Sequence, residues 1–408
     1  DTAGEDLEPF TFDGMHLHPL PLSATELDEY YEGESNATIW PLFHDAVEQP
    51  VYRQDWWRAY QKVNQRFAEA AAELAAPDAT VWVHDYQLML VPGMLRELRP
   101  DVRIGFFLHI PFPPVELFMQ LPGRDRLISG LLGADLVGFQ RPLAAQNFQQ
   151  LAALLLNLEP TEDQVSYQGR IVTARAFPIS IDTAAFAQRA ADPHVQARAA
   201  GIKAELGSRR LLLGVDRLDY TKGIEQRLAA YHELLADGAL SNDDVILVQV
   251  AIPTRQRVIQ YQQLRERVEA EVGRISGEFG HVGRAPVHYL RQSVDRDELI
   301  ALYLAADVMV VTPLRDGMNL VAKEFVAARI DDAGALVLSE FTGAAAELDG
   351  AFLVNPHDSD DLKRRILDAL SAERADLATR MRRMRAHIQT YDVDRWARDF
   401  LDTLERKD

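Results

Sequence analysis

TPLRDGMNLVAKE, residues Thr312–Glu324, follows directly on the apolar run Val308, Met309, Val310, Val311 and leads into a helix-forming segment, Leu320 to Ala328. An unbroken apolar run is the pattern of a parallel strand buried on both faces. The stretch therefore reads as strand, tight turn and helix N-terminus. Asp316-Gly317 supplies turn residues, and Asn319 suits an N-cap, where a side-chain oxygen satisfies one of the first helical amides. Such a terminus attracts phosphate or diphosphate. Glu324 lies one turn after Leu320, beside the face carrying Val321, Phe325 and Ala328, where its carboxylate could grip sugar hydroxyls. Taken alone, the stretch is slightly better read as an ordinary strand-to-helix turn with a capping Asp and a solvated Glu.

Outward from it, the same pattern repeats on both sides. GALVLSE and AFLVNP follow as strands, and LLLGVDRLDYTKG (ending its strand at Asp216-Arg217), DVILVQVAIP (ending before Arg255) and PVHYL precede it. Further back lie TVWVHDYQL, ending at His84-Asp85, then RIGFFLHIPFPP, ending at His109, then ADLVGFQ, and RIVTARAFPIS over Arg170 to Ser180. Helical stretches separate them, notably Leu88 to Leu98, so the spacing predicts βαβ units and parallel sheets. Tyr52 to Ala76 predicts a long amphipathic helix whose stripe of Trp56, Tyr60, Val63 and Phe67 belongs to a core. Met15 to Leu20 alternates like a strand, while Tyr30 to His44, YYEGESNATIWPLFH, reads as a loop crowded with aromatics. The polar, alanine-rich stretch from Asp182 to Ser208 reads as the crossing between domains, and Glu373 to Asp408 as charged and helical.

With 408 residues, two domains are the natural expectation. A 47% hydrophobic content fits a globular protein, and no apolar run is long enough to cross a bilayer. The absence of cysteine rules out disulfides, thiolate metal sites and a cysteine nucleophile, and suits the cytoplasm. A net charge of −19 argues against a nucleic-acid surface, so an anionic ligand must be held by a few local basic groups. H-E-x-x-H, G-x-x-x-x-G-K-[ST], G-x-S-x-G and EF-hand patterns are all missing. No metal and no cofactor is expected.

Asp85, His109, Arg217, Arg255 and Asp316 each sit at or just past the carboxyl end of an expected strand. That edge is where open parallel sheets bind ligands, so two half-sites facing across a cleft are expected. Singly, each residue has a plain alternative: His109 as a satisfied core histidine, Arg217 and Lys222 as turn residues, Arg255 as a surface arginine. His84-Asp85 hints at a catalytic dyad. Arg217 and Lys222 together, followed by Gly223, match what a diphosphate leaving group demands.

In YEGESNATIWPLFH, WVHDYQL, IGFFLHIPFPP, GVDRLDYTKG and TPLRDGMNLVAKEFVAAR, spread from residue 31 to residue 330, and in a C-terminal YDVDRWARDFL, the chain resembles the trehalose-6-phosphate synthases. These are retaining GT-B glycosyltransferases, and the likeness is to their bacterial, actinobacterial form. The resemblance implies an α/β fold of two Rossmann-like domains: an acceptor domain over 1–181, lacking its first strands, a nucleotide-sugar domain over 182–385, and a helix over 386–408 packing back on the first. It implies a donor, nucleotide-glucose (UDP-, ADP- or GDP-glucose), and an acceptor, glucose 6-phosphate, in a cytoplasmic homo-oligomer. Carried over, Arg217 and Lys222 would bind the donor diphosphate with the Asn319-Leu320 amides, and Glu324 the ribose. Asp316 and His109 would hold glucose hydroxyls, with Arg217, Lys222, Asp316 and His109 the catalytic set, while Tyr31, Trp40, Asp85 and Arg255 would hold glucose 6-phosphate.

Four departures from the family pattern stand out. A glycine-rich loop and its flanking strands are expected before Asp1, and their absence would leave a gap in the middle of the N-terminal sheet. Glu34 stands for phenylalanine, Gln87 for histidine and Gly123 for tryptophan. These last three weigh on acceptor identity, leaving a related synthase with another acceptor, or a non-catalytic sugar-phosphate sensor, as the competing readings.

Overall fold

The computed structural model describes residues 8–406. The chain divides into two compact units, Asp1–Phe177 with Phe400–Asp408, and Pro178–Asp399. Each is built on its own sheet, and the expected α/β architecture of two Rossmann-like units is what is found.

The first unit opens with a small antiparallel hairpin, β1 (Phe10–Phe12) and β2 (Met15–Leu17). Its main sheet contains β3 (Thr80–His84), β4 (Arg103–Phe107), β5 (Leu136–Phe139), β6 (Gln164–Tyr167) and β7 (Arg170–Ala176). The strand order is β3-β4-β5-β7-β6, parallel apart from the hairpin that joins β6 to β7. Among the described residues the strands of this sheet pair without a break, with β3 at one edge. Residues Phe400 and Leu404 cover one face: Phe400 stacks on Trp82 at 4.4 Å. The room for that ring comes from Gly105 and Gly138, where an added Cβ would come within 2.8 and 2.7 Å of Phe400 atoms.

The segment read as a loop over Tyr30 to His44 is helical. A π-helical stretch, Leu27–Ile39, passes into a turn of α-helix, Trp40–Phe43. Gly33, Ser35 and Asn36 look like turn residues, but tertiary packing overrides propensity here. An added Cβ at Gly33 would lie 2.6 Å from the Trp56 ring, and Asn36 Oδ1 accepts from the Tyr86 hydroxyl at 2.7 Å. The long helix Gln54–Leu74 packs beside it, as its apolar stripe requires.

The second unit is a six-stranded parallel sheet of β8 (Arg210–Arg217), β9 (Val245–Ile252), β10 (Val287–Leu290), β11 (Val308–Val311), β12 (Ala335–Ser339) and β13 (Phe352–Val354). The order β10-β9-β8-β11-β12-β13 reverses direction between β8 and β11. That is the switch point of a doubly wound sheet, where loops leaving two neighbouring strands diverge and expose a crevice. Both strands there are buried, β11 throughout. The stretch from Asp182 to Ser208 forms two helices, Thr183–Ala190 and Pro193–Leu206, whose Phe186, Val195 and Ile202 join this unit's core. The C-terminal charged region is helical over Arg374–Thr390 and Val393–Glu405. Among the described residues, no helix is long and apolar enough to cross a membrane.

Candidate active site

At the switch point of the second unit, the loops after β8 and β11 are tied together before any ligand is considered. Leu314 N donates to Thr221 O at 2.7 Å. Beneath them the fully buried Arg227 donates to Asp216 Oδ2 and Gln249 Oε1, both at 2.7 Å, and to Thr312 Oγ1 at 3.0 Å. Thr312 in turn donates to Gly223 O at 2.9 Å. Gly223 has φ +61, and a Cβ there would stand 1.9 Å from Thr312 O, so only glycine permits this approach.

On this frame, Lys222 Nζ lies 2.7 Å from Asp316 Oδ2, and Asn319 Nδ2 donates to the same oxygen at 3.1 Å. Asn319 also caps the helix Leu320–Ala328 as expected, its Oδ1 accepting from Ala322 N at 2.9 Å. Asp316 is fixed through its own backbone, which donates to Phe341 O at 3.2 Å. Glu324 accepts from the Tyr303 hydroxyl at 2.9 Å; burial raises its carboxyl above the usual range and the Tyr303 hydrogen bond works against that.

Arg217 and Arg255, assigned to different substrates on sequence grounds, converge on one carboxylate. Asp219 is wholly buried, and its Oδ2 lies 3.1 Å from Arg255 Nη1 and 4.0 Å from Arg217 Nη2. The same oxygen accepts from the Tyr261 hydroxyl at 3.0 Å, while Oδ1 takes the amide and hydroxyl of Thr221 at 3.0 and 2.8 Å. Burial pushes this carboxyl up, but Arg255, then Arg217 and Lys222, outweigh it and hold it well below the ordinary carboxylate range. One fixed negative charge thus holds Arg255 and lies beside Arg217, while the Lys222 ammonium is held by Asp316. Asp219, Arg227 and Tyr261 were not singled out in the sequence; the second aspartate of DRLDYTKG is the one local signal for them.

In the first unit, Asp85 and His109 come together at the ends of β3 and β4. Asp85 N donates to Phe107 O at 2.8 Å, and Asp85 Oδ1 accepts from His109 N at 3.2 Å. The hinted His84-Asp85 dyad is not formed in that way: His84 Nδ1 pairs with His109 Nε2 at 3.0 Å. Burial, and after it the neighbouring His84, lower His109 to about 4, and burial also lowers His84. Both rings are neutral at pH 7. Trp40 is buried against His44 and Tyr86, at ring distances of 4.1 and 5.6 Å, whereas Tyr31 is 38% exposed. Gln87 uses its carbonyl to accept from Tyr30 and Asn64. Glu34 and Gly123 line one cavity.

Asp85, Arg255 and Asn319 have φ of 74, 44 and 90. Positive φ at a residue with a Cβ is costly and collects where a side chain must be aimed. No sequence pattern announces it.

Comparison with known proteins follows the same lines. The family model described as glycosyltransferase family 20 matches residues 3–406. A trehalose-6-phosphate synthase of Mycobacterium avium is 56% identical over 99% of this chain and 84% of its own. Among solved structures, trehalose-6-phosphate synthase from E. coli bound with UDP-2-fluoro glucose superposes with TM-score 0.95 at 36% identity, over 100% of this chain and 91% of that one. A UDP-forming α,α-trehalose-phosphate synthase from Burkholderia xenovorans in complex with glucose 6-phosphate gives 0.93 at 36% identity, over 98% and 90%.

Proposed function

The chain belongs to glycosyltransferase family 20, and from that premise we propose that it transfers glucose from a nucleotide-glucose donor to glucose 6-phosphate. The products are α,α-trehalose 6-phosphate and a nucleoside diphosphate. The observation that carries this reading is the network at the β8–β11 switch point, where Lys222 and Asn319 meet on one carboxylate oxygen of Asp316 within 3.1 Å.

In this reading Arg217 and Lys222 neutralise the charge that gathers on the diphosphate as the bond to the glucose anomeric carbon breaks, with the Asn319-Leu320 amides assisting. Glu324 takes the ribose, and Asp316 and His109 the glucose hydroxyls. A neutral His109 can accept or donate one hydrogen bond without a competing charge. Tyr31, Trp40, Asp85 and Arg255 serve glucose 6-phosphate. Transfer proceeds with retention by a front-face route. The acceptor oxygen bonds to the anomeric carbon on the side the diphosphate leaves, and its proton passes to the departing phosphate oxygen. Orientation and charge stabilisation do the work, with no covalent intermediate.

The test is a product assay with UDP-glucose and glucose 6-phosphate. UDP and a phosphorylated non-reducing disaccharide in equal amounts are expected. UDP release only with some other acceptor would overturn the acceptor assignment, and binding without turnover would overturn the transferase.

A further inference from the structure

The first unit contains a cavity of about 420 Å³. Its wall includes Glu34, Thr38, Tyr52, Gln54, Trp57 and Gly123. Glu34 and Thr38 stand about one turn apart on the helical stretch that also carries Tyr31. Trp57 closes another side, and it can do so because residue 123 is glycine: an added Cβ would lie 2.6 Å from the indole.

The chemistry of this wall is unusual in one respect. Glu34 is only 3% exposed, yet among the described residues its carboxyl group makes no hydrogen bond. Burial pushes it up to about 8, so it holds its proton at pH 7. A buried polar group without a partner costs free energy that a ligand can recover. Thr38 has its proton committed to Val51 O, which leaves its oxygen to accept. Arg53, also on the wall, is paired with Asp55, Nε to Oδ1 at 3.0 Å, and lies over Trp56. Its positive charge disfavours a cation in the cavity, while its carboxylate partner leaves little attraction for an anion. Hydrogen-bonding groups beside an indole and a phenol suit a neutral molecule with hydroxyls on one side and C–H groups on the other.

We propose that this cavity is a second binding site, distinct from the switch-point site of the other unit, for a small uncharged polyhydroxylated molecule, a polyol or free sugar, hydrogen-bonded by Glu34 and packed on Trp57.

The test is isothermal titration of the full chain with D-glucitol, in the presence of saturating UDP and glucose 6-phosphate so that the transferase site is filled. Binding to the wild-type protein is expected, weakened about tenfold or more by Glu34→Leu, as loss of a buried hydrogen bond requires. Gln54 is exposed at the rim, so Gln54→Trp narrows the entrance without disturbing the core, and the same loss is expected there. Thermal melting identifies any variant that fails to fold. Absence of binding to the wild type, or binding unchanged in Gln54→Trp, overturns the proposal. Binding of tetramethylammonium in place of D-glucitol overturns it in favour of an organic cation.

Discussion

Asp219 concentrates the electrostatics of the second unit in one side chain. Asp219→Asn removes the counter-charge of the deeply buried Arg255. Breaking such a pair costs ~3–5 kcal/mol, which urea denaturation will measure as a lower midpoint, accompanied by reduced turnover as Arg255 and Arg217 lose their shared carboxylate. Lys222→Ala breaks the largely buried pair with Asp316, 2.7 Å long: turnover is expected to fall ~100- to 1,000-fold, and the melting temperature to drop with it. Glu34 gives a pH signature. Its unfolded carboxyl loses its proton near 4.5 and its folded one near 8, so the native state holds the extra proton between those values. Stability must then fall as pH rises through that window. Tyr52, itself raised by burial and then by Glu34, and Arg53 face the same cavity. In Glu34→Gln the melting temperature should decline less between pH 5 and 8.5 than in the wild type; an identical slope would contradict the buried, protonated state. The histidines run the other way. His109, neutral down to about 4 when folded, costs stability as pH falls below the unfolded value near 6.5.

Among elements, the tie between the loops after β8 and β11 is the feature on which the candidate donor site depends. Gly223→Ala sets a methyl group against Thr312 O, and is expected to cost on the order of 2–4 kcal/mol and most of the turnover; wild-type melting behaviour in this variant would show that the approach is not required. Such ties are invisible in sequence, because they join side chains and carbonyls tens of residues apart. What was legible were the strands buried on both faces, whose apolar runs stand out at β8, β9 and β11, and the residues at their ends. β6 was missed because QVSY is short and alternates at a sheet edge. The stretch Leu27–Ile39 was misread because Gly33, Ser35 and Asn36 signal turns, whereas Gly33 lets the Trp56 ring close in and Asn36 accepts from Tyr86. Arg217 and Lys222 were found because charge at a strand end is a local pattern; Asp219 was not, because its importance comes from Arg255 and Tyr261, which reach it from the loop after β9 and from the helix Ile259–Phe279.

For the whole molecule, the ring of Phe400 between Gly105 and Gly138 sets a requirement on the first unit. Phe400→Ala is expected to cost ~3–5 kcal/mol. Hydrogen exchange should speed up in β4 and β5 while β8 and β9 keep their protection; uniform loss across both units would argue against a core belonging to the first unit alone. The Arg103 side chain makes the same connection, its Nη1 donating to the backbone carbonyl of Leu404 at 2.8 Å across 301 residues of sequence. During synthesis, β4 and β5 leave the ribosome long before the residues that cover them. The first unit has all its strands by Ala176, but the residues that cover them follow the whole of Pro178–Asp399, and domains generally fold as units when their sequence is complete. The core of the first unit is therefore completed only once Phe400 has been made, and until then its sheet waits with Trp82 and Phe107 uncovered, a period in which chaperone capture and aggregation compete with folding.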